Sequence, residues 1–174
     1  MAEQQVERFE RLVLPHLDDA YTLARYLLRD EHDAQDVVQE AALRALRHFE
    51  GFRHGDARAW LLTIVRNCCY SWHKAHRKDR STVSFTDDAA QKVPDPHGAD
   101  SLAVENSERA LVQAAVAALP SELREVLVLR ELNELSYREI SEVVGAPMGT
   151  VMSRLSRARD RLAVALGADA RRAG

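Results

Sequence analysis

The stretch from Leu135 to Leu162, LSYREISEVVGAPMGTVMSRLSRARDRL, leaves the backbone few choices. Ser136 followed by Glu139 is the pattern of a capping box, in which hydroxyl and carboxylate each satisfy a free backbone N–H at a helix start. Tyr137, Ile140 and Val144 then fall at helical spacing, so one face of this first helix is apolar. Gly145 suits the left-handed residue that ends a helix, and Pro147 suits the first turn of the next. The second helix is predicted to bury Val151, Leu155, Ala158 and Leu162 and to turn Thr150, Met152, Ser153, Arg154, Ser156, Arg157 and Arg161 outward. Two short helices across a tight turn are the layout of a helix-turn-helix. Small hydroxyls let a backbone approach the major groove, and guanidinium groups reach phosphates or the acceptors of guanine. A helical hairpin with a solvated basic face is the plainer reading. The cap, the glycine turn and the arginine face together favour DNA.

The net charge of −3 hides a strong segregation. Residues 1–50 carry 6 basic and 11 acidic side chains, whereas residues 58–80 carry 6 basic against 1 acidic. Residues 81–108 reverse the balance, 1 against 6, and residues 154–172 return to 6 against 2. Two basic blocks flanking an acidic one imply two nucleic-acid surfaces and a separate acidic surface with another task. With only 7 glycines and 5 prolines among 174 residues, and Ala and Leu abundant, the chain should be all-α, in one or two small domains. No apolar run approaches a membrane span, and the acidic N-terminus lacks the basic and apolar regions of a signal peptide, so a cytoplasmic protein without membrane insertion is expected.

Helical periodicity runs from residue 4 to 29 through Phe9, Leu12, Val13, Leu17, Tyr21, Ala24, Leu27 and Leu28, with a break or kink expected at Pro15. A second helix is expected to start at Asp33 as N-cap, with Asp36 in its first turn. Its buried stripe would be Ala34, Val37, Val38, Ala41 and Ala45, leaving Asp33, Asp36, Gln39, Glu40, Arg44 and Arg47 outside. After the loop around GFRHGD, a long helix begins near Ala57 with an apolar stripe of Leu61, Ile64, Val65, Cys68 and Trp72. Elsewhere on it lie Trp60, Arg66, Asn67, Tyr70, His73, Lys74 and Arg77. Rings interleaved with basic groups can stack unpaired bases while holding the backbone, which is how single strands are bound. Periodicity alone equally allows Trp60 and Trp72 to be core residues.

Cys68 and Cys69 are adjacent, and a disulfide between neighbours is strained. Cys69, His73 and His76 could share a helical face, but their spacing matches no common zinc site, and buried reduced thiols are ordinary core filler. No metal is expected. The stretch STVSFTDDAAQKVPDPHGADS is polar, acidic and interrupted by two prolines, the composition of a linker. Helical pattern resumes near Leu102 and runs to Leu119, and Pro120 and Ser121 open a helix whose Leu123, Val126, Leu127 and Leu132 should pack toward the helix-turn-helix.

The order DAQDVVQEAALRAL, ARAWLLTIVRN and ALPSELREVLVLRELNELSYREISEVVGAPMGTVMSRLSRAR resembles the extracytoplasmic-function sigma factors, compact bacterial initiation factors that keep only the second and fourth conserved regions. The resemblance covers about Phe9 to Leu162 and implies a region 2 over residues 1–80, a flexible acidic linker over 81–101 and a region 4 over 102–174. By resemblance, Asp33, Asp36, Gln39 and Glu40 match the helix that docks on the coiled coil of the polymerase β′ subunit, and the β flap is a further polymerase contact. Trp60, Arg66, Asn67, Tyr70 and Trp72 lie in the segment that opens and reads the −10 element, and His73, Lys74 and Arg77 extend that basic face. A base flipped from the stack would be held by the loop Gly51 to Ala57. Residues 147–157, with Thr150, Met152, Ser153, Arg154, Ser156 and Arg157, match the helix that reads the −35 element, and Ser136 and Tyr137 open the helix before it. The acidic linker resembles the segment that threads toward the polymerase active centre, and an anti-sigma factor is an expected partner. Many relatives carry a basic residue where this chain has Met152.

This reading calls for no enzyme and no cofactor, since no paired carboxylates, nucleophile constellation or phosphate-cradling glycine loop stands out. The chief alternative is a dimeric helix-turn-helix repressor or activator, which accounts for residues 102–162 and leaves the acidic row, the Trp-rich basic helix and the linker idle.

Overall fold

The computed structural model describes residues 2–80 and 102–172 and is helical throughout its regular elements. The expected linker, 81–101, lies outside the described residues. The N-terminal half holds α1 (Ala2–Val13), α2 (Leu17–Leu28), α3 (Glu31–His48) and α4 (Ala57–Arg80). The C-terminal half holds α5 (Leu102–Ala117), α6 (Ser121–Glu131), α7 (Tyr137–Val144) and α8 (Met148–Arg172).

Local chemistry sets most of these boundaries. Pro15 lies in a single 3-10 turn, Leu14–His16, that separates α1 from α2, since a proline nitrogen cannot donate to the preceding turn. Arg29 ends α2 in the left-handed conformation at φ 60°. The N-cap of α3 is Asp30, not the expected Asp33: the Asp30 carboxylate accepts from the Asp33 amide at 2.9 Å. Asp33 itself occupies the third helical position, where its amide is the donor that needs a cap. The capping box at Ser136 and Glu139 forms as expected, and Gly145 closes α7 at φ 66°. Leu132 departs from expectation. It stands at the C-cap of α6, 48% exposed, and packs toward neither partner helix.

In the N-terminal half, α2, α3 and α4 pack on one another around Leu23, Leu27, Val37, Ala41, Leu61, Leu62 and Val65. Small alanines at 34, 41 and 45 bring α3 close to its neighbours. Phe49 is fully buried beneath an aromatic group: its ring lies 5.3 Å from Phe9, 5.9 Å from Phe52 and 6.2 Å from Trp60. In the C-terminal half, α6, α7 and α8 enclose Val126, Leu129, Leu135, Ile140, Val151, Leu155 and Ala158.

The two halves meet through α6 and α7. Every residue from Leu123 to Leu129 is buried, because α6 packs on α8 and α7 with one face and on α2 with the other. Helix α7 packs on α4. Burial all round explains why α6 lacks the one-sided pattern of a surface helix.

Phe49→Ala should lower unfolding free energy by about 3–5 kcal/mol, because it removes a ring with no exposed surface and leaves a cavity between Phe9, Phe52 and Trp60. The checks are the denaturation midpoint and the tryptophan fluorescence of the native state.

Candidate polymerase and nucleic-acid interfaces

On α3, Asp36 and Gln39 are exposed, Glu40 is partly exposed and Asp33 is half-buried. Burial and the neighbouring Asp30 raise the Asp33 carboxyl above its usual value. Glu40 is engaged by Arg44 one turn on, at 2.8 Å, on an exposed face. The row continues beyond the charges: Leu43 and Leu46 are 44% and 41% exposed, in helical phase with Asp36 and Gln39. Sequence reasoning missed these leucines because the alanine stripe already accounted for the buried face of α3.

The loop between α3 and α4 is built by backbone ties. Asp56 accepts from the Arg58 amide at 2.9 Å and so caps the start of α4, and Gly55 sits at φ 130°, a conformation that L side chains rarely adopt. Arg8 reaches across from α1 to the carbonyls of Phe52 and Arg53, each at 3.3 Å, while its guanidinium lies over the Phe49 ring at 5.2 Å. The result is an open cavity of about 350 Å³ lined by Arg53, His54, Asp56, Trp60 and Thr63, with Glu142 of α7 at its edge. Trp60 is half-buried, its ring 4.9 Å from Phe52, so it is both a core neighbour and a wall of this cavity.

The remaining α4 residues divide into two groups. Asn67, Lys74 and Arg77 are exposed. Arg66, Tyr70 and His73 are half-buried against the rest of the molecule. Arg66 donates through Nε to one Glu125 oxygen at 2.7 Å and through NH2 to the other at 3.2 Å, and the Tyr70 hydroxyl donates to Glu125 at 3.0 Å. The guanidinium also lies over the Tyr70 ring at 4.6 Å. Burial and the adjacent carboxylate push the Tyr70 phenol up to about 12, so it stays protonated and keeps donating. His73 bonds through Nε2 to the Leu27 carbonyl at 2.8 Å, and burial holds its pKa below the usual value. Trp72 is half-buried with its face stacked on His76 at 3.9 Å. The metal reading of Cys69, His73 and His76 finds no support, since His76 bonds to the Trp72 carbonyl and Cys69 is buried. Among the described residues no group of three or more His, Cys, Asp or Glu is placed to hold a metal ion.

On α8 the outward row is Met152, Ser153, Ser156 and Arg157, all exposed, with Thr150 half-buried at its margin. Arg154 departs from the expected outward position. Its side chain is 18% exposed and turns toward Glu122 of α6, 3.9 Å away. Ser136 is occupied by its capping box, with the Glu139 amide donating to its hydroxyl at 3.2 Å. Tyr137 is half-buried beneath the Arg130 guanidinium at 4.8 Å.

Two family models match the chain: sigma-70 region 2 over residues 12–79 and sigma-70 region 4 over residues 109–162. The chain is similar to the ECF RNA polymerase sigma factor SigE of Mycolicibacterium smegmatis, 33% identical over 156 residues that cover 88% of this chain and 60% of that relative. It is 33% identical to the RNA polymerase sigma-H factor of Pseudomonas aeruginosa, over 94% of this chain and 93% of the relative. Among solved structures, it superposes on the sigma factor RpoE of Bartonella quintana, solved in complex with the anti-sigma factor NepR. That match has TM-score 0.75 and 28% identity, over 94% of this chain and 99% of the other. It also matches CnrH, solved in complex with the cytosolic domain of CnrY, at TM-score 0.69 and 25% identity over 97% and 96% of the two chains. Among the described residues no helix is long and apolar enough to cross a membrane.

Two α8 substitutions test whether the exposed row touches a duplex. Arg157→Ala should weaken duplex binding. Met152→Arg should steepen the salt dependence by about one phosphate's worth if the new charge meets backbone, or favour one base by about 1–3 kcal/mol if it meets a guanine. Selection from a randomised duplex library at two salt concentrations reads both effects, and unchanged slope and preference would remove Met152 from the interface.

Proposed function

The chain belongs to the extracytoplasmic-function sigma factors, and from that premise we propose that it binds core RNA polymerase and directs promoter-specific initiation of transcription. The observation that carries this is the presence, in one chain and in order, of the region 2 and region 4 matches. The polymerase performs the chemistry, and this protein supplies the address and assists strand opening. Residues 1–80 form the docking and −10 module, 81–101 the acidic linker and 102–174 the −35 module.

The surfaces divide these tasks by chemistry. Asp33, Asp36, Gln39 and Glu40 present carboxylates and an amide to a basic partner, and the exposed Leu43 and Leu46 extend that strip with apolar area. Such a mixed strip suits the coiled coil of the β′ subunit: charge sets orientation and rate of encounter, and leucine burial contributes affinity. Region 4 provides the complementary contact with the β flap. Asn67, Lys74 and Arg77 offer an amide and two cations to an opened strand, while Trp60 and the loop cavity offer a stacking wall and a recess large enough for a base. Arg66, Tyr70 and His73 line the adjoining face, the first two available after release from Glu125, and Trp72 backs them from the apolar stripe. Met152, Ser153, Ser156 and Arg157 enter the major groove at the −35 element, with Thr150 and Arg154 at its border and Ser136 and Tyr137 positioning the preceding helix.

The neighbouring structures hold anti-sigma factors, and this chain is assigned the same class of partner. A dimeric repressor would use α7 and α8 and leave the region 2 match without a role.

Asp36→Arg should abolish or greatly weaken co-elution with core polymerase while leaving helicity and melting temperature unchanged, since exposed positions contribute within about 0.5 kcal/mol to stability. Retained affinity in the folded variant would remove α3 as the docking helix. Asn67→Ala should separate a later step: polymerase binding stays, and permanganate reactivity of promoter thymines falls on duplex promoter and recovers on a pre-melted one. No recovery on the pre-melted template would refute a strand-opening role for Asn67.

A further inference from the structure

The outward face of α8 holds fewer free hydrogen-bond donors than its residue types promise. The Ser153 hydroxyl donates to the Thr150 carbonyl at 3.0 Å, a turn back on the same helix. Arg154 turns away toward Glu122 of α6, 3.9 Å distant. Arg157 donates through Nε to the Ser153 carbonyl at 3.4 Å, which leaves its terminal nitrogens to serve a duplex. Beside these engaged groups stand two apolar side chains: Met148 and Met152 are 44% and 46% exposed. At about 100° per residue they lie one turn apart on one edge of the outward face, with Gly149 and Ser153 in its middle and Arg157 on the far edge. A Cβ added at Gly149 would meet nothing within 4 Å, so the middle of the face is low and open. A helix of that profile can bring its backbone close to the floor of a groove.

The chemistry of that edge narrows what it can read. A thioether is at most a weak acceptor, and its long, unbranched, polarizable chain settles readily on a small apolar group. In the major groove the apolar group that a base pair presents is the C5 methyl of thymine. Methionine set against a G·C pair would strip water from donors and acceptors without replacing their hydrogen bonds, which is unfavourable. Successive base pairs rise by about 3.4 Å and one helical turn by about 5.4 Å. Side chains one turn apart therefore reach methyl groups one or two steps apart.

We propose that Met148 and Met152 form an apolar pair that selects two thymines, one or two steps apart, in the upstream promoter element, while Arg157 supplies the charged contact. Both methionines fall within the region 4 match, residues 109–162. The inference rests on the sigma-factor reading above and adds to it the chemical feature that this helix selects. Met148 thereby joins the reading surface as a specificity-determining residue, and G·C pairs are rejected at two positions for want of hydrogen-bond partners.

The test uses the full chain assembled with core polymerase and a duplex promoter library randomised across the upstream element. Selected sequences should carry thymines at two positions one or two steps apart. Replacing either thymine by deoxyuridine keeps the base pair and removes only the methyl, and it should weaken binding about fourfold, the effect of exposing one buried methyl group. Met148→Ala should abolish that loss at one of the two positions and Met152→Ala at the other, whereas Met148→Leu and Met152→Leu should retain it. Both positions are exposed, so the variants should keep their helicity, and the deoxyuridine comparison on the wild-type chain does not depend on them. Equal affinity for thymine and deoxyuridine at every selected position would overturn the pair and leave the sigma-factor reading standing. Undiminished discrimination after both methionines are replaced by alanine would overturn the assignment to these side chains. Failure of the wild-type chain to assemble with core polymerase would overturn the sigma-factor reading itself, and the pair with it.

Discussion

The arrangement of the two halves depends on one buried charge. Glu125 has no exposed surface, so its carboxylate is tolerable only because Arg66 meets both of its oxygens and Tyr70 adds a third hydrogen bond. Arg66 retains 21% of its side-chain exposure, so the pair sits at the lip of the contact and not deep inside it. The apolar residues around Leu23 and Leu61 in one half and around Leu129 and Ile140 in the other are joined into one continuous cluster through α6. The contact between the halves therefore combines apolar packing of α6 on α2 with directional polar bonds at its edge.

How much of this could be read from the chain follows the range of the interactions. The capping box and the glycine turn come from residues within four positions of one another and are legible, as is the outward row of α8 apart from Arg154, which turns toward Glu122 of another helix. Pro15 marked its break for the same reason. Asp33 was mistaken for a cap because both Asp30 and Asp33 are good caps, and only the backbone turn at Arg29 decides between them. The Arg66–Glu125 pair spans 59 positions, and nothing local predicts it. A partial signal existed: Arg124 and Glu125 interrupt a run that is otherwise apolar from Leu123 to Leu129, and charges inside such a run need partners from another element.

The exposed strip of α3, proposed above as a docking surface, shows the converse limit. Helical phase placed Asp36 and Gln39 outside correctly, but the same phase also puts Leu43 and Leu46 outside, and an exposed leucine is unremarkable until its neighbours are known. One carboxylate, one amide and two leucines on one face describe a more selective surface than an acidic row alone. A purely acidic face would attract any basic partner, whereas the leucines reward only one whose apolar groove lies in register with the charges.

Arg8 gives the N-terminal helix a significance beyond its small share of the core. By binding the carbonyls of Phe52 and Arg53 from a distance of more than forty positions in the chain, it splints a loop that otherwise hangs between two helix ends. Each backbone residue left free in that loop would cost about 1–2 kcal/mol to order when a nucleotide is captured. If the loop holds an extruded base as proposed, the splint moves that entropic cost from promoter opening to folding. Under the proposed role of that loop, a change at Arg8 would alter base capture through the order of the backbone alone.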